Sequence, residues 1–119
     1  MRYNWSMKII TETLLLGELK QMAMATFGNL VKAVVDVDRD VIAVDAELHS
    51  DLEALLLEDG SKQKNLWGIN LYPEMQEDGF IEFDSMINMR PSQGNRSHGI
   101  ENEETRKKII EVVAKRIKR

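Results

Sequence analysis

The stretch from Val31 to Leu48 restricts what this chain can fold into more than any other. Val31, Ala33, Val35 and Val37 alternate with Lys32, Val34 and Asp36, and a second β-rich run, Val41 to Leu48, follows the polar link Asp38-Arg39-Asp40. Successive side chains of a strand point to opposite faces, so two such runs on so short a link predict an antiparallel hairpin. In the second run the alternation turns Ile42, Val44, Ala46 and Leu48 toward the core and leaves Asp45 and Glu47 together on the opposite side. An isolated hairpin is at best marginally stable in water, so the flanking segments must cover its apolar face.

Those segments read as helices and further strands. Lys8-Ile9-Ile10 is a short strand or lead-in. Leu15, Leu16, Leu19, Met22, Ala23 and Phe27 recur every three or four residues, which predicts a helix capped by Thr11 or Thr13 and stopped by Gly28. Ser50 and Glu53 fit a capping box for a short helix reaching Asp59, with a strand over Ala54–Leu57 and an Asp59-Gly60 turn as the competing reading. Leu66–Tyr72 puts Trp67, Ile69 and Leu71 on one face of a strand that Pro73 ends. After the Asp78-Gly79 turn, Phe80–Met89 alternates again, which predicts a second hairpin. Asn102 caps a last helix whose buried stripe is Ile109, Ile110, Val113, Ala114 and Ile117. The order (β)αββαββα predicts an α+β fold: an antiparallel sheet of about four strands in two hairpins, with helices packed on one face.

Length and composition limit the function classes. At 119 residues the chain suits one domain, read here as 7–119, behind a flexible arm at 1–6 or an internal start at Met7. Without cysteine it has no disulfide, thiolate metal ligand or cysteine nucleophile. No apolar run approaches the roughly 20 residues of a membrane helix, so a cytoplasmic protein with no membrane partner is expected. The net charge of −4 is unevenly spread: residues 102–119 hold seven basic and three acidic side chains, the rest nine basic and seventeen acidic. That polarity most simply holds a basic last helix against an acidic body. It argues against nucleic acid as the main partner and confines any such binding to residues 106–119.

Two constellations could carry chemistry. The loop Arg90–Gly99 packs arginines, amides, serines and glycines together, a composition that encloses anions through backbone N–H groups and arginine forks. Arg90 and Arg96 would neutralise a small anionic ligand, Gln93 and Asn95 would orient it, and Asn88 would line the approach. The alternative is an ordered surface loop whose polar side chains bond the backbone. The second constellation is Glu47 and His49, with Asp84 and His98 as candidates to complete an acid–base or metal cluster, Asp45 and Asp51 lying beside it. Its alternative is a solvated acidic sheet face. Trp67 and Tyr72, and Asn70 and Asn88 of the polar sets, are further candidates for binding, although a strand tryptophan is usually core. There is no GK[ST] or GxGxxG string, and no cofactor is expected.

The strings Asp59-Gly60-Ser61-Lys62-Gln63, Leu66-Trp67-Gly68-Ile69-Asn70-Leu71-Tyr72-Pro73 and Ile87-Asn88-Met89-Arg90-Pro91-Ser92-Gln93-Gly94-Asn95-Arg96-Ser97 are distinctive. Together they resemble a family of small prokaryotic proteins catalogued as a domain of unknown function, from about Met7 to the C-terminus. The resemblance implies a soluble prokaryotic protein and transfers no catalytic residue; His98 stands where relatives are expected to carry a basic residue. The residues therefore support a ligand-binding or interaction domain first. A hydrolase-like enzyme using His49 or His98 with an acidic partner, and a homo-oligomeric assembly module or weak nucleic-acid binder, are the alternatives.

Overall fold

A computed structural model describes Ser6–Arg119, so the expected arm at 1–6 lies, apart from Ser6, outside the described residues. The first hairpin forms: β3 (Val31–Asp36) and β4 (Val41–Val44) pair antiparallel with Val35 opposite Ile42. Its turn is built on Asp36, which is fully buried. One carboxylate oxygen accepts the backbone N–H of Asp38 and of Arg39, each at 2.9 Å, and the other accepts the Ser61 hydroxyl at 2.6 Å. Arg39 closes the network by donating to Ser61 Oγ and Asp59, both at 2.7 Å.

The sheet extends on both sides of the hairpin. β1 (Lys8–Ile10) joins β4, β5 (Leu66–Leu71) joins β3, and β6 (Ile81–Glu82) lies outside β5, giving the antiparallel order β1-β4-β3-β5-β6. That is five strands where about four were expected. A separate parallel pair, β2 (Leu14–Leu15) with β7 (Ile117–Lys118), ties the beginning of the fold to its end.

Helices α1 (Leu16–Ala25) and α4 (Glu103–Arg116) cover one sheet face, packing on Ala33, Val35, Ile42, Val44, Ile69 and Leu71. Helix α2 (His49–Glu58) covers the other, with Leu52 and Leu56 against Val34, Ala43 and Leu66. The class is α+β as expected, but the helices do not all lie on one face. The reason is in β4, where Val41, Ile42, Ala43 and Val44 are all buried. A strand apolar on both sides needs cover on both. Residues 51–58 accordingly form a helix rather than a strand, and it begins at His49 with Leu48 in the capping position instead of Ser50.

The helix ends show which local signals held. Gly28 adopts φ 93° and its N–H donates to the Ala23 carbonyl at 2.6 Å, ending α1 as expected. At the start of α1 the Glu18 carboxylate, not a threonine, accepts the Leu15 N–H. Asn102 caps α4 by accepting the Thr105 N–H at 3.0 Å. Along α4, Ile109, Val112 and Val113 are buried while Ile110 and Ala114 are exposed, a rotation of the expected stripe. The basic end of α4 clamps the hairpin turn: Lys108 and Lys115 approach the Asp40 carboxylate at 3.1 and 3.4 Å, and Arg116 donates to the Asp40 carbonyl at 2.8 Å. The hydrogen bond from Lys108, with the charges of both lysines, holds the Asp40 carboxyl below the usual carboxylate range against a smaller opposing effect of burial.

The second hairpin does not form as expected. Phe80 ends a short helix, α3 (Glu77–Phe80), β6 spans only Ile81–Glu82, and Met86–Asn88 is a single 3-10 turn. The cause is a close crossing at Gly68. A Cβ built there would lie 2.5 Å from Ser85 Cβ, so the chain crosses β5 where only glycine admits it and cannot continue alongside as a strand.

Candidate functional site

β6 pairs only with Asn70 and Leu71, leaving the remainder of that β5 edge to be satisfied by other groups. Side chains of the following loop do so. Asn88 is fully buried; its Oδ1 accepts the Gly68 N–H at 2.7 Å and its Nδ2 donates to the Gly68 carbonyl at 2.9 Å. A side-chain amide thus takes the place of a neighbouring strand. Arg90 donates to the carbonyls of Leu66 and Ile87 and stacks over the Trp67 ring, 4.7 Å from its centroid, with Glu53 at 3.6 Å. Unpaired backbone groups at a buried edge cost free energy comparable to lost hydrogen bonds, which is why both residues are drawn inward.

Asn95 organises the rest of the loop. Its backbone exchanges hydrogen bonds with Arg90, Nδ2 donates to the carbonyls of Asn88 and Gly99 at 2.7 Å each, and Oδ1 accepts the Glu101 N–H at 2.8 Å. Of the five residues expected to hold an anion, Asn88, Arg90 and Asn95 are therefore buried supports. Gln93 and Arg96 are exposed, Gln93 donating to the Lys64 carbonyl and the Arg96 backbone N–H to Glu101.

The acid–base candidates divide differently. β4 ends at Val44 and Asp45 takes φ 74°, so strand alternation does not carry from Asp45 through Glu47 to His49 as expected. Asp45 is buried, and burial pushes its carboxyl above the usual range. Glu47 is exposed and does not line the cleft that receives the other candidates. His49, Asp84 and His98 do share one cleft of about 300 Å³, together with Lys32, Asn70 and Ser85. Among the described residues no group of three His, Asp or Glu side chains is placed to hold a metal ion.

The cleft opens on the α2 face of the sheet, beside the start of that helix. Lys32 and Asn70 are register partners on β3 and β5. Asn70 Nδ2 donates to Glu82 at 3.0 Å, which also accepts the Tyr72 hydroxyl at 2.8 Å, raising the Tyr72 phenol above its ordinary value. Asn70 Oδ1 is buried beside the His49 ring, with no hydrogen bond of ordinary length. His49 Nε2 lies 2.8 Å from the Ile69 carbonyl. A carbonyl only accepts, so Nε2 carries the proton and the neutral ring keeps its lone pair on Nδ1. Burial, outweighing the Ile69 hydrogen bond, holds the imidazole below its ordinary value of 6.5, so it is neutral at neutral pH. His98 Nδ1 stands 3.9 Å from the Asp84 carboxylate, both partly exposed.

The buried loop residues build this cleft's wall. The His98 carbonyl accepts from Asn88 Nδ2 at 3.0 Å and from the Ser85 N–H at 2.9 Å, so the network that seals β5 also fixes His98. Lys32 was missed from the sequence as a site residue, although a lone lysine in a valine-rich strand is a legible signal. Among the described residues no helix is long and apolar enough to cross a membrane.

The family model described as a protein of unknown function, DUF5674, matches residues 8–116. No curated protein and no solved structure matches the chain.

Proposed function

The chain belongs to the DUF5674 family, whose description assigns no activity, and from its cleft we propose a binding domain for a small polar molecule that carries an acidic group. The observation that carries the reading is the convergence of Lys32, His49, Asn70, Asp84 and His98 on one open cleft. Lys32 and His98 supply positive or proton-donating groups for the acid, while His49 Nδ1 accepts from a hydroxyl or amine. At about 300 Å³ the cleft stands at the small end of ligand sites. Asn88 and Asn95 serve as positioning residues, Gln93 and Arg96 lie outside the contact, and the protein works in the cytoplasm, where small acids are met free in solution.

Titration of the labelled protein with small carboxylic acids, amino acids and inorganic phosphate tests this by amide chemical shifts. The reading expects a saturable ligand that moves Lys32, His49, Asn70 and His98. A panel that moves none of them, or only residues 93–96, contradicts it.

A second reading rests on the fixed tautomer of His49. With its lone pair on Nδ1 and the Asp84–His98 pair in the same cleft, it can take a proton from water while His98 gives one to a leaving group. Turnover of a bound ester or amide would then rise with pH as His49 loses its proton. A pH profile unchanged in His49→Gln removes the reading.

A further inference from the structure

A second, larger cleft lies away from the His49 site, between α4 and the β6 edge, with a volume of about 800 Å³. Its centre is apolar: Phe80, buried beneath the Arg119 guanidinium at 4.3 Å, and Phe83 on one side, Ile110 and Ala114 of α4 on the other. Ile110 is 49% exposed in the middle of an otherwise strongly charged helix surface. Nothing in the packing of the monomer requires an isoleucine there, since Ile109, Val112 and Val113 already form the buried stripe.

The charges around the cleft decide the occupant. Glu77 and Asp78 of α3 line it, and so do Lys118 and Arg119 beyond the end of α4. A uniformly acidic or basic partner would meet repulsion from one of these pairs. A two-fold pairing places each patch against its counterpart's complement, because residue i meets j of the partner while j meets i. One acidic and one basic pair around a shared apolar centre therefore suit a second copy of the same chain. Ala114, one helical turn from Ile110, keeps the centre low enough for a facing helix to approach.

We infer that this cleft is a self-association surface through which two copies pair about a two-fold axis, Ile110 at the centre and the Glu77–Asp78 pair of each copy facing Lys118 and Arg119 of the other. The inference is independent of the His49 cleft. Analytical ultracentrifugation of the full chain over a concentration series tests it, with far-UV circular dichroism to show that each variant is folded. The wild type is expected to approach twice the monomer mass as concentration rises, and Ile110→Glu, at an exposed position, to remain monomeric. Charge reversal of the acidic pair (E77K with D78K) and of the basic pair (K118E with R119E) should each weaken pairing, and an equimolar mixture of the two should restore it. A wild type that stays monomeric at every concentration overturns the inference. So does a dimer indifferent to Ile110→Glu, or a mixture that pairs no better than either charge-reversed variant alone.

Discussion

β5 has two neighbours, and they hold it by different means. On one side β3 pairs with it through backbone hydrogen bonds along six residues, from Val31 opposite Leu71 to Asp36 opposite Leu66. On the other, two residues of β6 suffice for the far end and the rest is held by Asn88 and Arg90 side chains. The sequences that build the two sides look alike, since both alternate apolar and polar residues. One makes a regular hairpin, while the other crosses the strand at Gly68 and returns as a loop. The backbone-paired side supplies a fixed platform, with Lys32 and Asn70 in register. The side-chain-held side supplies the wall, with Asp84, Ser85 and His98. A cleft needs both: a sheet continued by another long strand would have sealed the place where the ligand is proposed to sit.

The largest expected effect falls on the side-chain-held edge. Asn88→Ala leaves the buried N–H and C=O of Gly68 unpaired and should cost about 3 kcal/mol in urea unfolding. Gly68→Ala should cost a comparable amount through the contact with Ser85. Losses below about 0.5 kcal/mol, the range of ordinary surface changes, would show that this edge is not held as described. On the hairpin side, Asp36→Ala removes three accepted hydrogen bonds at the turn. About 2–3 kcal/mol is expected, read from the same unfolding curves, because hydrogen bonds to a charged acceptor are the stronger kind.

The cleft itself responds to pH. The unfolded chain takes up a proton at His49 near the ordinary value of 6.5, whereas the folded imidazole accepts one only at lower pH. The stability tied to the neutral ring is thus complete above that value and declines as pH falls from it toward the folded value. His49→Gln should flatten this part of the stability–pH curve, measured as the urea midpoint between about pH 7 and pH 5. An identical slope in the variant would show that the imidazole is not held neutral. The smallest effect belongs to the clamp of α4 on the hairpin turn. Asp40→Asn should cost about 0.5 kcal/mol, lessened further by salt, since its lysine partners are substantially exposed.

The two sides of β5 also explain how far the sequence could be read. The hairpin was legible because its valines alternate and its link is short, and the α4 cap was legible because Asn102 carries its own signal. The helix over 49–58 was readable in kind but not in start, since Leu48 offers no capping side chain. What could not be read were contacts between segments distant in sequence. Nothing local to Phe80–Met89 reveals that Gly68 lets Ser85 across, or that Asn88 pairs with it twenty residues away. The same limit applied to the site. Arg90 and Asn95 have the chemistry of an anion loop, but carbonyls on neighbouring segments take Arg90 Nε and Nη2 and the Asn95 amide, Arg90 Nη1 staying buried without a partner. His49, Asp84 and His98 line one cleft, while Glu47 was grouped with them by an alternation that the left-handed turn at Asp45 interrupts.

The central claim is that the polar loop builds the wall while the cleft receives the ligand, and one pair of variants separates these roles. Thermal unfolding in the presence of the small acid that titrates the wild type would compare Lys32→Ala with Asn70→Ala, in the cleft, against Gln93→Ala with Arg96→Ala, on the exposed loop. A saturating ligand raises stability by about 2.7 kcal/mol at a hundred times its Kd. The account predicts that the loop double variant keeps this stabilisation and the cleft double variant loses it. The reverse result, stabilisation kept without Lys32 and Asn70 but lost without Gln93 and Arg96, would contradict it.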